Sequence, residues 1–524
     1  MTTDENPQRS IFLTLVFSII LLLIAGGISI YVISDKSIED ILLLSSAART
    51  IEDNYPDEID WDEMILSARD AMFAKLDRYS TFYQDEQFEQ LDEHMSGGYS
   101  GIGISVLPHD SGLLIMSVRE NGPAYEAGLM NGDIIEKADS VSFADLSPAK
   151  SSTLLRGKEN TYVNITVYRP SSDERFDLKV ERRRIPFLHI PFAGYTDDSV
   201  VYIRLLDFNF GASQDLEAAL DSLVIQGAFR PKGIIIDLQG NPGGLFSEAY
   251  EIADLFLDEG YMIVGTDGRS RWEDMQYQST GTDVTDGLPL ILLVNNGSAS
   301  ASEIVSGALQ SSERAMLVGD TTFGKGLVQG FVQFPNGDGL KLTVSRYFFG
   351  DSVYLNDFDS TLEDVGHGLV PDHFIESKHY TYFQRELENH LVLGPFTAMY
   401  EEDIIREYES DTLSDRWIGR LVGFMNDQGK STRSYRTILA EDMDFIAGIE
   451  SLPSKYRKTI RQIVETSQNE DLKQFYENRN YIKNRLIETA YKRKFGDYYS
   501  YKNLLLKIRP EIQFAEDLIL GMEQ

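Results

Sequence analysis

The sequence predicts an α/β core carrying an inserted β-rich domain, with a membrane-spanning helix before it and a helical domain after it. Three observations carry that expectation. Two apolar runs, at residues 233–238 and 290–294, each pass through a small-residue turn into a helix-like pattern, as buried strands feeding helices do. Between residues 97 and 170 the chain breaks instead into short β-rich runs punctuated by glycine. At its two ends stand an uncharged, mostly apolar stretch, residues 11–33, and a glycine-poor tail rich in Tyr, Glu, Arg and Lys.

Composition narrows the function. A chain of 524 residues implies roughly three or four domains. Its 83 acidic and 48 basic residues leave a net charge of −35. That argues against nucleic acid as a partner, because phosphate binding needs a basic surface. The sequence has no cysteine, which excludes disulfides, thiol catalysis and thiolate metal sites. Its seven histidines show no HExxH or other metal-ligand spacing, so neither a metal nor a cofactor is expected.

Taken in order, residues 1–10 form a short tail in which Arg9 is set against Asp4 and Glu5. Residues 11–33 are an uncharged, mostly apolar run of 23 residues, enough to cross a bilayer as a helix. A cleaved signal peptide is the competing reading, but the run is long for one. The expectation is an uncleaved anchor in a bacterial cytoplasmic membrane, with Arg9 inside and everything after Asp35 extracytoplasmic. Residues 36–95 have a helical character, with Ile38, Ile41, Leu42 and Leu44 at mixed spacing, and fit a packing or tethering segment.

Next come Gly101, Ile102, Gly103 and Ile104, a glycine loop running into Ser105 and Val106. Such a loop aligns backbone N–H groups that can take a carboxylate, while the strand edge beyond it can pair with an extended peptide. From residue 185 the core begins. A strand is expected at residues 200–206, a helix at 213–223, and a buried strand at 233–238. That strand turns through Gln239, Gly240, Asn241, Pro242, Gly243 and Gly244 into a helix at about residues 245–257. A strand, glycine turn and helix in succession can aim N–H groups at a developing oxyanion.

The densest chemistry lies in residues 295–329. Ser300 sits where a strand-like run meets a helix N-terminus, whose N–H groups face anything bound beside it. A serine hydroxyl needs a base. No histidine is near, and Lys325, in a glycine-flanked turn, is the candidate. Lysine serves as a base only when its pKa falls, and Phe323, Leu327 and Val328 offer an apolar setting. If Lys325 and Gln329 share one strand, their even spacing puts both on one face, where Gln329 can aim the amine. Ser300 with Glu303 also fits a plain capping box.

The segments GSASASEI (residues 297–304) and TFGKGLVQ (residues 322–329), with serine and lysine 25 positions apart, resemble the carboxy-terminal processing, or tail-specific, proteases. That resemblance implies Ser300 as nucleophile, Lys325 as general base and Gln329 as its orienting partner. It places the oxyanion hole at the Ala301 amide with either Gly243 or Gly244. It also implies a crotonase-like catalytic domain over residues 185–378 and a C-terminal helical domain over 379–524. The segments around Gly101–Ile104, NGPAYEAGLMNGDII (residues 121–135) and LLRGKENTYVNITVYR (residues 154–169) resemble a PDZ domain over residues 97–170, which would bind a substrate's free C-terminus. LDRYSTFY (residues 76–83) and VGHGLVPDHFI (residues 365–375) also resemble family segments, the latter with His367 and His373 inserted. Gln239 departs from the family's usual arginine, and Ala138-Asp139-Ser140 from its usual glycine-ending pair. The expected function is a membrane-anchored serine endopeptidase acting on protein substrates with free C-termini, with oligomerisation or an adaptor as roles for the C-terminal helices. The alternative is an inactive PDZ adaptor that only holds exported proteins.

Overall fold

The computed structural model describes residues 36–109, 111–144, 146, 148–269, 274–349, 353–355, 367–376, 382–389, 392–410, 412–427 and 473–522. The apolar run at residues 11–33 lies outside them, and among the described residues no helix is long and apolar enough to cross a membrane. The chain divides into two units, residues 1–77 and 78–524. The first contains helices α1 (Lys36–Asn54) and α2 (Trp61–Phe73). Asp60 starts α2 by accepting the Glu63 N–H at 3.0 Å, the side-chain cap that an exposed helix start requires.

The second unit opens with β1 (Thr81–Tyr83) and α3 (Asp85–Met95) and then enters a seven-stranded sheet. Its strands are β2 (Gly98–Gly101), β3 (Ile104–His109), β4 (Gly112–Val118), β5 (Ile134–Ala138), β6 (Val141–Ser142), β7 (Thr161–Arg169) and β8 (Glu174–Pro186). Two short helices, α4 (Pro123–Glu126) and α5 (Pro148–Leu155), complete it. The order is β2-β8-β7-β5-β4-β3 with β6 beside β5, so β3 is an edge strand. At the Ala138-Asp139-Ser140 turn Asp139 takes the positive φ (48°) that glycine would otherwise supply, a conformation to which aspartate is better suited than most residues.

The core that follows has two sheets. In the first, β9 (Phe192–Tyr195), β10 (Val201–Arg204), β11 (Ile234–Asp237), β14 (Leu290–Val294), β15 (Met316–Gly319) and β19 (His373–Phe374) lie in the order β19-β15-β14-β11-β10-β9. All pairs are parallel except β9 with β10. Helices α6 (Ala212–Leu220), α7 (Phe246–Asp254) and α8 (Ala301–Ser311) link its strands. The second sheet joins β1 to β12 (Met262–Gly268), β13 (Met275–Gln278), β16 (Leu327–Gln333), β17 (Gly339–Phe349) and β18 (Val353–Tyr354).

The unbroken apolar strands have a simple cause: both faces of the first sheet are covered. Ile234, Ile236, Leu290, Leu292 and Val294 join a core with the helices, whereas Ile235, Ile291 and Leu293 point the other way. Alternating side chains make each strand apolar at every position when neither face meets water. The covering on the second face comes from the far end of the chain. After a helical bundle built around buried Trp417, namely α9 (Tyr382–Asn389), α10 (Leu393–Ser410), α11 (Arg416–Asp427) and α12 (Arg479–Ser500), the chain returns. Tyr501 and Leu505, then Leu506 of α13 (Leu506–Ile508) and Ile512, Ala515 and Ile519 of α14 (Pro510–Met522), lie on that face.

Candidate active site

Strand β14 delivers its last residue, Val294, into a turn that ends at Ser300, the residue before α8. Ser300 has φ 55° and ψ −113°, a combination that costs a non-glycine residue about 1–3 kcal/mol and persists only where its surroundings enforce it. Here the Glu303 carboxylate enforces it by accepting the Ser300 N–H at 2.8 Å. The Glu303 and Ile304 amides bond the Ser300 carbonyl at 2.8 and 2.9 Å.

Glu303 does more than cap a helix. One of its oxygens also accepts the Lys325 N–H at 2.9 Å, and the other accepts the Gly324 N–H and the Thr322 hydroxyl, each at 2.6 Å. A single carboxylate thereby ties the serine turn to the lysine loop. It is fully buried, and that burial raises its pKa above the usual carboxylate value despite the four hydrogen bonds that oppose the rise. Tyr347 spans the same junction, its hydroxyl donating to the Lys325 carbonyl and lying 3.2 Å from the Ser300 carbonyl. Complete burial holds the Tyr347 phenol well above its usual pKa.

Lys325 precedes β16 rather than lying in it, and the register shifts between Val328 and Gln329. The expected one-face alternation of Lys325 and Gln329 is therefore not how they meet; a loop and a bulge bring both to one cavity. The Gln329 amide nitrogen donates to Thr343 Oγ1 at 2.6 Å, while its buried Oε1 has no partner among the described residues. Phe323, proposed as apolar lining, is 42% exposed. The ring of Tyr79 lies beside the Lys325 Nζ, with its centroid 4.9 Å away.

The turn after β11 is stapled to the serine segment. The Asn241 carbonyl accepts the Ala299 N–H at 3.0 Å and the Ser302 hydroxyl at 2.9 Å. A side chain on Gly243 would come within 2.9 Å of Ala299 O, Ala301 N and Ser300 Cβ, so only glycine permits this approach. The Gly243 N–H is occupied by Asn241 Oδ1 at 2.9 Å. The N–H groups of Gly244 and Ala301 have no acceptor among the described residues.

Ser300, Lys325, Gln329, Ala301, Gly243 and Gly244 all line one cavity of about 480 Å³. Its apolar wall includes Met95, Phe246 and Phe331, and Asp207 also reaches it. The Asp207 carboxylate lies 2.8 Å from Nδ1 of buried His189. Burial alone would lower this imidazole's pKa, but the carboxylate raises it past its usual value. Residue-pattern reading missed Glu303 beyond its helix cap, Tyr79 and the His189–Asp207 pair. A glutamate three places after a serine was the signal for Glu303, and the segment at residues 76–83 was the signal for Tyr79. His373 lies on β19 against Phe514, with ring centroids 5.7 Å apart, and is not among the residues lining the cavity.

The glycine loop sits apart from this cavity. Gly101 ends β2, Ile104 begins the edge strand β3, and Gly103 has φ 78°. The Ile102 and Gly103 carbonyls accept the Ala124 and Arg119 N–H groups at 2.9 and 3.0 Å, which fixes the loop from behind.

The sequence matches the model for peptidase family S41 over residues 199–359 and the model for the PDZ domain over residues 100–180. It is 33% identical over 314 residues to the carboxy-terminal processing protease CtpA of Bacillus subtilis, covering 60% of this chain and 66% of that relative. Against the carboxy-terminal-processing protease of Bartonella bacilliformis it is 31% identical over 329 residues, covering 63% and 72% of the two chains. Against the carboxyl-terminal-processing protease of Synechocystis it is 34% identical over 322 residues, covering 60% and 71%.

Proposed function

The chain belongs to the carboxy-terminal processing serine proteases of peptidase family S41, and from that premise we propose that it cleaves exported proteins near their C-termini by a Ser–Lys mechanism. Ser300 Oγ attacks the scissile carbonyl while neutral Lys325 takes its proton. Gln329 Oε1, which has no partner among the described residues, accepts from the lysine amine and aims it. The tetrahedral oxyanion is held by the Ala301 and Gly244 N–H groups; Gly244 is chosen because the Gly243 N–H already serves Asn241. Lys325 then passes its proton to the leaving amine, and water releases the acyl-enzyme by the same steps in reverse.

The observation that carries this reading is the convergence of Ser300, Lys325 and Gln329 on one cavity beside two unengaged N–H groups. On the same reading, the loop from Gly101 to Ile104 takes the substrate's terminal carboxylate and β3 pairs with its last residues. Residues 11–33 anchor the enzyme to the cytoplasmic membrane with its catalytic part outside.

Cleavage of an unfolded test protein by the purified enzyme tests the mechanism. Ser300→Ala and Lys325→Ala are each expected to abolish turnover, and the double variant to lose little more, because the two residues act as a unit. Near-normal proteolysis by Lys325→Ala, in a preparation free of other proteases, would overturn the Ser–Lys assignment.

A further inference from the structure

Residues 78–83 lie beside the base. β1 pairs antiparallel with β17, Thr81 opposite Lys341, and just before it the Ser80 hydroxyl accepts the Thr343 N–H at 3.1 Å. Thr343 is also the residue whose hydroxyl receives the Gln329 amide. The segment is thus held in register with the strand that holds the lysine's orienting partner. That register brings the Tyr79 ring to the Lys325 Nζ, 4.9 Å from centroid to nitrogen. The ring is itself held: Arg78 donates to the Tyr79 hydroxyl at 2.7 Å, and its guanidinium carbon lies 5.7 Å from the ring centroid of Phe323, on the lysine loop.

We propose that Tyr79 is a positioning residue of the reaction, its aromatic face seating the Lys325 amine and stabilising the ammonium formed when that amine takes the Ser300 proton. This rests on Lys325 being the base. A cation on an aromatic face is attracted by the ring quadrupole, more strongly where water is excluded, and the attraction is strongest in the step where the lysine becomes charged. Other groups surround the same lysine. Glu303 from α8 bonds the Lys325 backbone N–H and Tyr347 from β17 its carbonyl, the Arg78 guanidinium carbon lies over the same ring at 4.9 Å from its centroid, and Asp207 and Lys341 stand on the cavity walls.

The test is the pH profile of kcat/KM and the separate values of kcat and KM in the full chain. Tyr79→Phe keeps the face and is expected to stay within about threefold of the parent. Phenylalanines fluorinated stepwise at position 79 keep the shape and drain the face. Each step is expected to move the activity midpoint to lower pH, by about one unit in total, and to lower the kcat plateau, with KM little changed. Tyr79→Leu should lose about tenfold in kcat. A midpoint and plateau indifferent to fluorination would overturn the proposal. So would Tyr79→Phe falling as far as Tyr79→Leu, which would make the hydroxyl or mere packing the active feature. Activity surviving in Lys325→Ala is a different result, and it would remove the Ser–Lys reading itself.

Discussion

Of the buried carboxylates in the catalytic core, Glu303 and Asp237 are held in opposite ways. Glu303 is held by four neutral donors, three backbone amides and the Thr322 hydroxyl. Asp237, at the root of the turn that carries Gly243 and Gly244, is held by two guanidinium groups, Arg204 at 2.8 Å and Arg509 at 3.0 Å. The Tyr202 hydroxyl at 2.6 Å and the Gln239 N–H at 2.9 Å complete its shell. A cation set beside Glu303 would also sit beside Lys325 and impose a fixed field on the base. Neutral donors join the two loops without that field, at the cost of a carboxylate with a raised pKa. Asp237, bound to no atom of the lysine loop, takes the stronger charge-assisted bonds.

Removing Glu303 should be the harshest break in this contrast. Glu303→Ala strips the acceptor from the Ser300, Gly324 and Lys325 amides, at about 1–3 kcal/mol for each one left unsatisfied. The expected outcome is a large fall in the denaturation midpoint together with lost turnover. A variant as stable as the parent would mean that the two loops are joined by something else.

A smaller effect is expected on the other side. Arg204→Met leaves buried Asp237 short of its closer cation and should cost about 3–5 kcal/mol in urea denaturation. Arg509→Met should cost about 1 kcal/mol, since that side chain is 32% exposed and Tyr202 still bonds the same oxygen. Equal losses from the two would show that the C-terminal segment carries as much of Asp237 as the strand does.

The smallest effect sharpens the contrast through pH. Because the folded Glu303 carboxyl has its pKa raised, the native state binds more protons than the unfolded chain across that window. Glu303's contribution to stability is full below the ordinary carboxylate pKa and is lost as pH rises through the raised value. Denaturation midpoints measured from pH 4 to 7 should therefore include a downward slope that Glu303→Gln lacks. Parallel curves for the two proteins would contradict it.

Much of the core was legible because its signals are local. The apolar runs at residues 233–238 and 290–294 are strands, and Ser300 opens a helix. Gly243 is a glycine because the serine turn leaves no room for a side chain. Local signals misled at Phe323, which is exposed, and between Lys325 and Gln329, where a loop and a register shift replace the expected strand. The capping-box pattern found Glu303 but could not show that its carboxylate also reaches Thr322, Gly324 and Lys325, because those donors belong to another loop.

A family resemblance singled out the motif of Ser300, Lys325 and Gln329; by itself the sequence determined which segments are strands and helices and where the glycine turns fall. Those properties follow from neighbours a few positions apart, through side-chain alternation and the steric freedom of glycine. Only the tertiary structure decided what surrounds the motif: Tyr79 beside Lys325, a Gly244 amide with no acceptor among the described residues, and Arg509 reaching Asp237 across 272 positions. Such pairings depend on strand register and on which face a distant helix covers. A residue's own neighbours in the chain carry no record of either.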